Sequence, residues 1–217
     1  MVLLALALCA QDADHFPLRP GTTWSYRMSS GQTLETQIVG PSKVGPQPCA
    51  IVETLLGSQR SREHVAVTSE GLTAFKVENA YGAMEYPTPI VRARLPFKKG
   101  ETWQITMKEG PQLNTYTYLT EDLEKVTVPA GTFEAWKVVT TLGPAVMSNW
   151  YAKGIGLVKQ VYALNGQSMT AELASTSLKP AEAPAPPPGP RTCAKCGAVD
   201  KAGGKFCAEC AAPFAPR

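Results

Sequence analysis

Histidine is nearly absent: among 217 residues only His15 and His64 carry an imidazole. No Gly-x-Ser-x-Gly elbow occurs, which removes the nucleophile of an α/β-hydrolase. No Walker-type loop occurs, and Gly154-Ile155-Gly156 lacks the third glycine of a dinucleotide site. Charge is sparse too. Charged residues make up 18% of the chain and the formal net charge is +3. That balance is too small to argue for a nucleic-acid partner, and no basic run interleaves with aromatics. No window shows the apolar stripe of an amphipathic helix. The longest apolar run, Met1 to Ala10, is about half of what a bilayer-spanning helix needs, so no transmembrane helix is expected.

What the chain does have is turn-rich, strand-like sequence. It carries 18 glycines and 19 prolines, and 44% of its residues are hydrophobic. Thr33–Val39 and Arg62–Thr68 alternate as half-buried strands should. Similar segments start at Trp24, Cys49, Thr73, Ile90, Thr102, Thr115, Lys125, Ala135, Ser148, Leu157 and Met169. Gly40-Pro41, Glu70-Gly71, Lys99-Gly100 and Pro129-Ala130-Gly131 read as turns between them. Asn165-Gly166 predicts a hairpin joining Leu157–Tyr162 to Met169–Ser175.

An echo runs through this region. Pro17-Leu18-Arg19-Pro20-Gly21-Thr22-Thr23-Trp24 matches Pro96-Phe97-Lys98-Lys99-Gly100-Glu101-Thr102-Trp103. More loosely, Cys49–Thr54 corresponds to Trp136–Thr141, and Gly71-Leu72 to Gly156-Leu157. Two meanders in one sheet would explain it. Gly-x-Thr-Trp is also ordinary turn-then-strand chemistry that a chain can use twice. The fold class expected for residues 16–178 is mainly β: a curved antiparallel sheet or open β-barrel, with two pseudo-repeats.

Residues 1–10 read as the hydrophobic part of a secretory signal, cleaved after Ala10, which places the protein in the periplasm or cell envelope. No basic residue precedes the run, and Leu8 stands where a small residue is usual. Leu8 also disfavours lipidation of Cys9. The alternative is a buried first strand in a cytoplasmic protein.

Residues 179–192 read KPAEAPAPPPGPRT, a proline-rich linker that favours extended polyproline II. Beyond it, residues 193–214 hold four of the six cysteines: Cys193-x2-Cys196, ten residues, then Cys207-x2-Cys210. Two-residue spacing lets both sulfurs of a knuckle reach one cation, and Gly197 suits the positive-φ position that closes the first knuckle. Four thiolates leave no open position, so a bound Zn²⁺ would be structural. Two disulfides are the competing reading, favoured if the protein is exported. This segment resembles the short zinc ribbons of bacterial proteins, with Ala211 where those have a glycine.

Three stretches of the larger region resemble known families as well. They are His15–Tyr26, Val126–Val138 with its Val-Pro-Ala-Gly-Thr-Phe core, and Asn149–Lys159 with Trp150-Tyr151 and Gly154-x-Gly156-Leu157-Val158-Lys159. All three, in this order, are similar to the DUF3108 and TapB-like envelope families. That resemblance implies an open β-barrel like those of lipoprotein carriers and an envelope location; it carries no activity to assign to residues.

Candidate site residues are few. Trp24, Trp103, Trp136 and Trp150 either fill the concavity of the sheet, as aromatics usually do, or line a groove for a lipid chain. Glu53 and Glu63 would face each other across a hairpin. Cys49 reads as a small buried residue and His64 as a satisfied strand histidine. No catalytic residue is assigned, and the expected function is non-catalytic: a β-domain for an apolar ligand or protein partner, with the ribbon as a docking module. The alternative is an adaptor whose β core is filled and whose ribbon makes the protein contacts.

Overall fold

A computed structural model describes residues 13–178, 191–200, 209, 210 and 212. The expected signal segment with Cys9, most of the linker, and Cys207 lie outside the described residues. The chain divides into two compact units, Met1–Pro180 and Ala181–Arg217.

Unit one is nearly all β: twelve antiparallel strands in one sheet, nearly closed into a barrel. The first meander is β1 (Thr23–Met28), β2 (Thr33–Val44), β3 (Gln47–Leu56), β4 (Gln59–Thr68), β5 (Gly71–Asn79) and β6 (Gly82–Arg94). The second is β7 (Thr102–Glu109), β8 (Gln112–Val128), β9 (Gly131–Leu142), β10 (Ala145–Ala152), β11 (Gly156–Leu164) and β12 (Gln167–Thr176). Each strand pairs with its sequence neighbour, β1 pairs with β12, and the sheet edges are β6 and β7.

The echo is structural. Gly21 N–H donates to the Ile38 carbonyl at 2.8 Å, and Gly100 N–H to the Thr120 carbonyl at 2.8 Å. Thr22 N–H reaches Arg19 O at 3.1 Å, and Glu101 N–H reaches Lys98 O at 3.1 Å. Each meander thus opens with the same turn, followed by a bulge in its second strand, after Ile38 and after Thr120. Gly71 and Gly156 are the first residues of the two fifth strands, as the loose correspondence implied.

The Asn-Gly hairpin forms as expected: Tyr162 lies opposite Met169, with Asn165 at φ 50° and Gly166 at φ 79°. Other expectations change. Gly40-Pro41 is not a turn but sits at the bulge inside β2. The segments from Thr115 and Lys125 are one strand, β8, its register slipping at Glu121-Asp122. β6 begins well before Ile90 and runs through Pro87 and Pro89, which an edge strand tolerates because one row of its amides needs no partner.

Glu53 and Glu63 do not face each other. Glu53 pairs with Arg62 and Glu63 with Val52, so the two carboxylates lie on opposite faces of the sheet. Glu53 is buried on the outer face, where it accepts hydrogen bonds from Arg62 Nε at 2.7 Å and Gln37 Nε2 at 2.9 Å. Arg60 is also within 3.6 Å. The Arg62 hydrogen bond, against the opposing effect of burial, holds its pKa below the ordinary carboxylate value. A depressed folded-state pKa contributes stability above the unfolded pKa and loses it as the pH falls. Glu53→Gln should therefore cost about 2 kcal/mol near pH 7. Its denaturant midpoint should then fall less than the wild type's between about pH 6 and about pH 3. Parallel pH profiles for the two proteins would refute this role.

Candidate functional site

The barrel has a closed end and an open end. The closed end is plugged by the segment that precedes β1. Phe16 packs edge-on against Tyr151 at 5.1 Å, and Phe97 stacks on Trp136 at 5.8 Å and on Tyr151 at 6.0 Å. The backbone locks this plug: Gly154 N–H donates to Asp14 O at 2.6 Å. Gly156, at φ 92°, lets Pro17 and Trp24 come close above it. Trp24 Nε1 donates to the Ile155 carbonyl at 2.7 Å and the Tyr26 hydroxyl to the Leu157 carbonyl at 3.0 Å. Both bonds reach over β12, tying β1 to the start of β11.

All six within-pair hairpins, from β1–β2 to β11–β12, gather at the other end. A cavity of about 420 Å³ occupies the interior between these ends. That volume lies within the range of small-ligand sites.

The inward positions follow from register. Trp103, Tyr118, Thr140, Met147, Tyr162 and Met169 are successive cross-strand partners from β7 to β12. Directly opposed residues share a face, so all six point inward. On the other wall Ile38, Val52, Glu63, Val77 and Met84 form a similar row. Met28 and Met107 hold inward positions by alternation along β1 and β7. Every methionine after Met1 therefore points into the barrel from its hairpin half. Met84 and Met169 remain 53% and 44% exposed, which marks this end as open.

A polar belt crosses the middle. Arg92 forms a hydrogen-bonded ion pair with Glu63 over the intervening β5. Burial works against the Arg92 charge, but the carboxylate of Glu63 outweighs it and raises the pKa. Tyr86 donates to Glu63 at 3.4 Å; burial, then the Glu63 charge, push its pKa up to about 12. Burial raises Tyr118 and Tyr151 as well, with the Arg92 guanidinium opposing the rise. Gln160 Nε2 donates to Asn149 Oδ1 at 2.8 Å. Thr140 Oγ1 is buried without a hydrogen-bond partner. Sequence reasoning missed the Arg92–Glu63 pair, because 29 residues separate the partners and no motif marks either.

The four tryptophans divide. Trp24 lines the cavity and Trp103 stacks on Tyr118 at 5.0 Å, its Nε1 donating to Val91 O at 2.9 Å. Trp136 belongs to the plug. Trp150 corrects the expectation of a concave-face position: it pairs with Lys137, one residue out of phase with inward Trp136 and Tyr151. It lies on the outer face, between the ammonium groups of Lys137 and Lys159, with its Nε1 donating to Glu124. Cys49 is buried, and burial raises its thiol pKa. His64 is buried too, bonded to Ser42 Oγ at 2.8 Å and Glu78 Oε1 at 3.2 Å.

In unit two, β13 (Arg191–Thr192) pairs with β14 (Val199–Asp200) and presents the first knuckle at the hairpin. Cys193 N–H donates to Ala198 O and Gly197 N–H to Cys193 O, both at 2.8 Å, with Gly197 at φ 73°. Cys193, Cys196 and Cys210 place their sulfurs within 4.8 Å of one another, close enough to hold a metal ion. The Cys193 and Cys210 sulfurs are 3.7 Å apart. Tetrahedral thiolates about 2.3 Å from zinc stand about 3.8 Å apart, whereas a disulfide needs about 2.05 Å. The backbone N–H groups of Cys196 and Lys195 pull the Cys193 pKa down to about 6.

The DUF3108-like family model matches residues 65–173, half of the chain. The protein belongs to the DUF3108-like family. The match starts inside β4 and ends inside β12, so it takes in β5 to β11 whole. No curated protein matches the chain. Among solved structures, a candidate lipoprotein from Parabacteroides distasonis aligns with a TM-score of 0.38 and 13% identity, over 75% of this chain and 98% of its own. A candidate exported protein with a YmcC-like fold from Bacteroides fragilis aligns with a TM-score of 0.38 and 11% identity, over 73% and 96%. At that score the fold rests on the strand pairing itself.

Proposed function

We propose that this DUF3108-like protein is a non-catalytic envelope protein whose barrel holds a single apolar chain. The observation that carries this reading is the 420 Å³ cavity, plugged at one end and ringed by methionines at the other. A fully packed core would favour the adaptor alternative. Methionine is unbranched and polarizable, so a methionine mouth adapts to a flexible chain better than branched side chains would. The absence of catalysis is supported by the interior charges, which are engaged with each other, and by phenols that burial keeps protonated. The ribbon is proposed to bind structural zinc through Cys193, Cys196, Cys207 and Cys210, and to serve as a docking module for a protein partner. Native mass spectrometry of protein purified without detergent tests the central point. A co-purifying lipid of one chain should appear, and should disappear when Met84 and Met169 are both changed to glutamate. Bare protein that also takes up no added amphiphile would support the adaptor reading instead.

A further inference from the structure

The cavity's polar belt constrains the chemistry of what it holds. Among the described residues lining it, Glu63 and Arg92 are the two that carry full charge, and each is engaged by the other. Their sum is zero. Thr140, only 6% exposed, lines the same space, and its hydroxyl is buried with no hydrogen-bond partner. Thr140 lies directly opposite Tyr118, beside the Arg92–Glu63 pair. A buried hydroxyl without a partner costs free energy that a ligand carbonyl or hydroxyl would recover. A ligand charge at the same depth would meet no uncompensated opposite charge, and its desolvation would go unrepaid.

Resting on the reading that the cavity takes an apolar chain, we infer that the polar group the ligand buries is uncharged, an ester or hydroxyl hydrogen-bonded by Thr140, and not a free carboxylate. Apolar surface flanks the belt: Phe16, Leu18 and Leu157 line the cavity on the plug side, and Met147 stands directly across from Thr140. The site is therefore built for an acyl ester and discriminates against the corresponding acid.

The test compares 1-monolauroylglycerol with laurate, which share one chain, by isothermal titration calorimetry at sub-micellar concentration near pH 7. Wild-type protein should bind the ester at least about tenfold more tightly than the acid. Thr140→Val, which keeps the side-chain shape and removes the hydroxyl, should weaken ester binding about fivefold. Glu63→Gln leaves the Arg92 charge uncompensated and should raise laurate affinity about tenfold. Near-ultraviolet circular dichroism checks the fold of each variant, and Thr140→Val decides the question if Glu63→Gln does not fold. Laurate binding as tightly as the ester, or an unchanged ester affinity in Thr140→Val, would overturn this inference while leaving the apolar-chain reading intact. Binding of neither amphiphile would overturn both.

Discussion

With zinc stripped by a strong chelator, or with Cys193 replaced by serine, the C-terminal unit should lose its fold while the barrel's thermal transition stays in place. The reason is size. A segment of this length cannot bury enough apolar surface to offset the entropy of ordering its backbone. Its two-residue strands, Arg191–Thr192 and Val199–Asp200, add little. On the proposed zinc reading, metal binding supplies the difference; for zinc fingers the apparent binding free energy is about 10–16 kcal/mol near neutral pH. The Cys193 and Cys210 sulfurs already stand 3.7 Å apart, the spacing that tetrahedral thiolates on zinc would have. Cys193 is also predisposed to ionise, because two backbone N–H groups point at its sulfur. Protons compete with the metal for thiolates, so zinc should be retained at neutral pH and released as the pH falls. Elemental analysis of protein purified without chelator should return one zinc per chain. Amide resonances from residues 191–200 should collapse toward random-coil positions on chelation. No zinc, with an intact mass lower by the hydrogens of two disulfides, would refute the site and support the oxidised reading.

Much of this architecture could be read from local sequence, and the pattern of misses has one cause. Asn165-Gly166 gave its hairpin, and Gly-x-Thr-Trp gave the openings of both meanders, because these signals act through backbone conformation within a few residues. Gly197 was assigned its positive φ on the same grounds. The misses involve register. A bulge at Glu121-Asp122 keeps β8 continuous across the two segments that start at Thr115 and Lys125, and Lys137 forms an ion pair with Glu121 at 2.8 Å. The face on which Trp150 lies depends on phase relative to β9, since one residue of slip inverts inside and outside. The Arg92–Glu63 pair depends on two bulges in the β5–β6 ladder, after Leu72 and after Ala74, that re-aim a side chain across a strand. The cavity's chemistry is carried by these non-local details. The sequence pattern indicated a barrel and left its interior unspecified.

Gly71→Ala should be among the most destabilising single substitutions in the barrel, costing about 2–5 kcal/mol, although it adds one methyl group. Two effects combine. At φ 126° the backbone lies where L side chains rarely go, which costs about 1–2 kcal/mol by itself. The added Cβ would also stand 2.0 Å from the Ala93 carbonyl oxygen and 2.9 Å from Arg94 Cα. These are backbone atoms of β6, so no rotamer change relieves the clash, and overpacking of this kind costs about 1–3 kcal/mol more. Gly100→Ala separates the effects, because Gly100 has φ 79° with nothing within 4 Å of the added carbon. It should lose only the conformational part. Gly156, the repeat equivalent of Gly71, gives a third point: at φ 92° its added carbon would make ordinary contact with Pro17 at 3.6 Å and Trp24 at 3.8 Å. The expected order of loss is Gly71 well above Gly156 and Gly100, read as shifts of the urea midpoint at constant slope. The clash at Gly71 pushes on β6 next to Arg92, so Gly71→Ala should also weaken amphiphile binding where Gly100→Ala does not. Equal midpoints for Gly71→Ala and Gly100→Ala would mean that the β5–β6 corner yields freely, and that the edge of the barrel does not hold the ion pair in place.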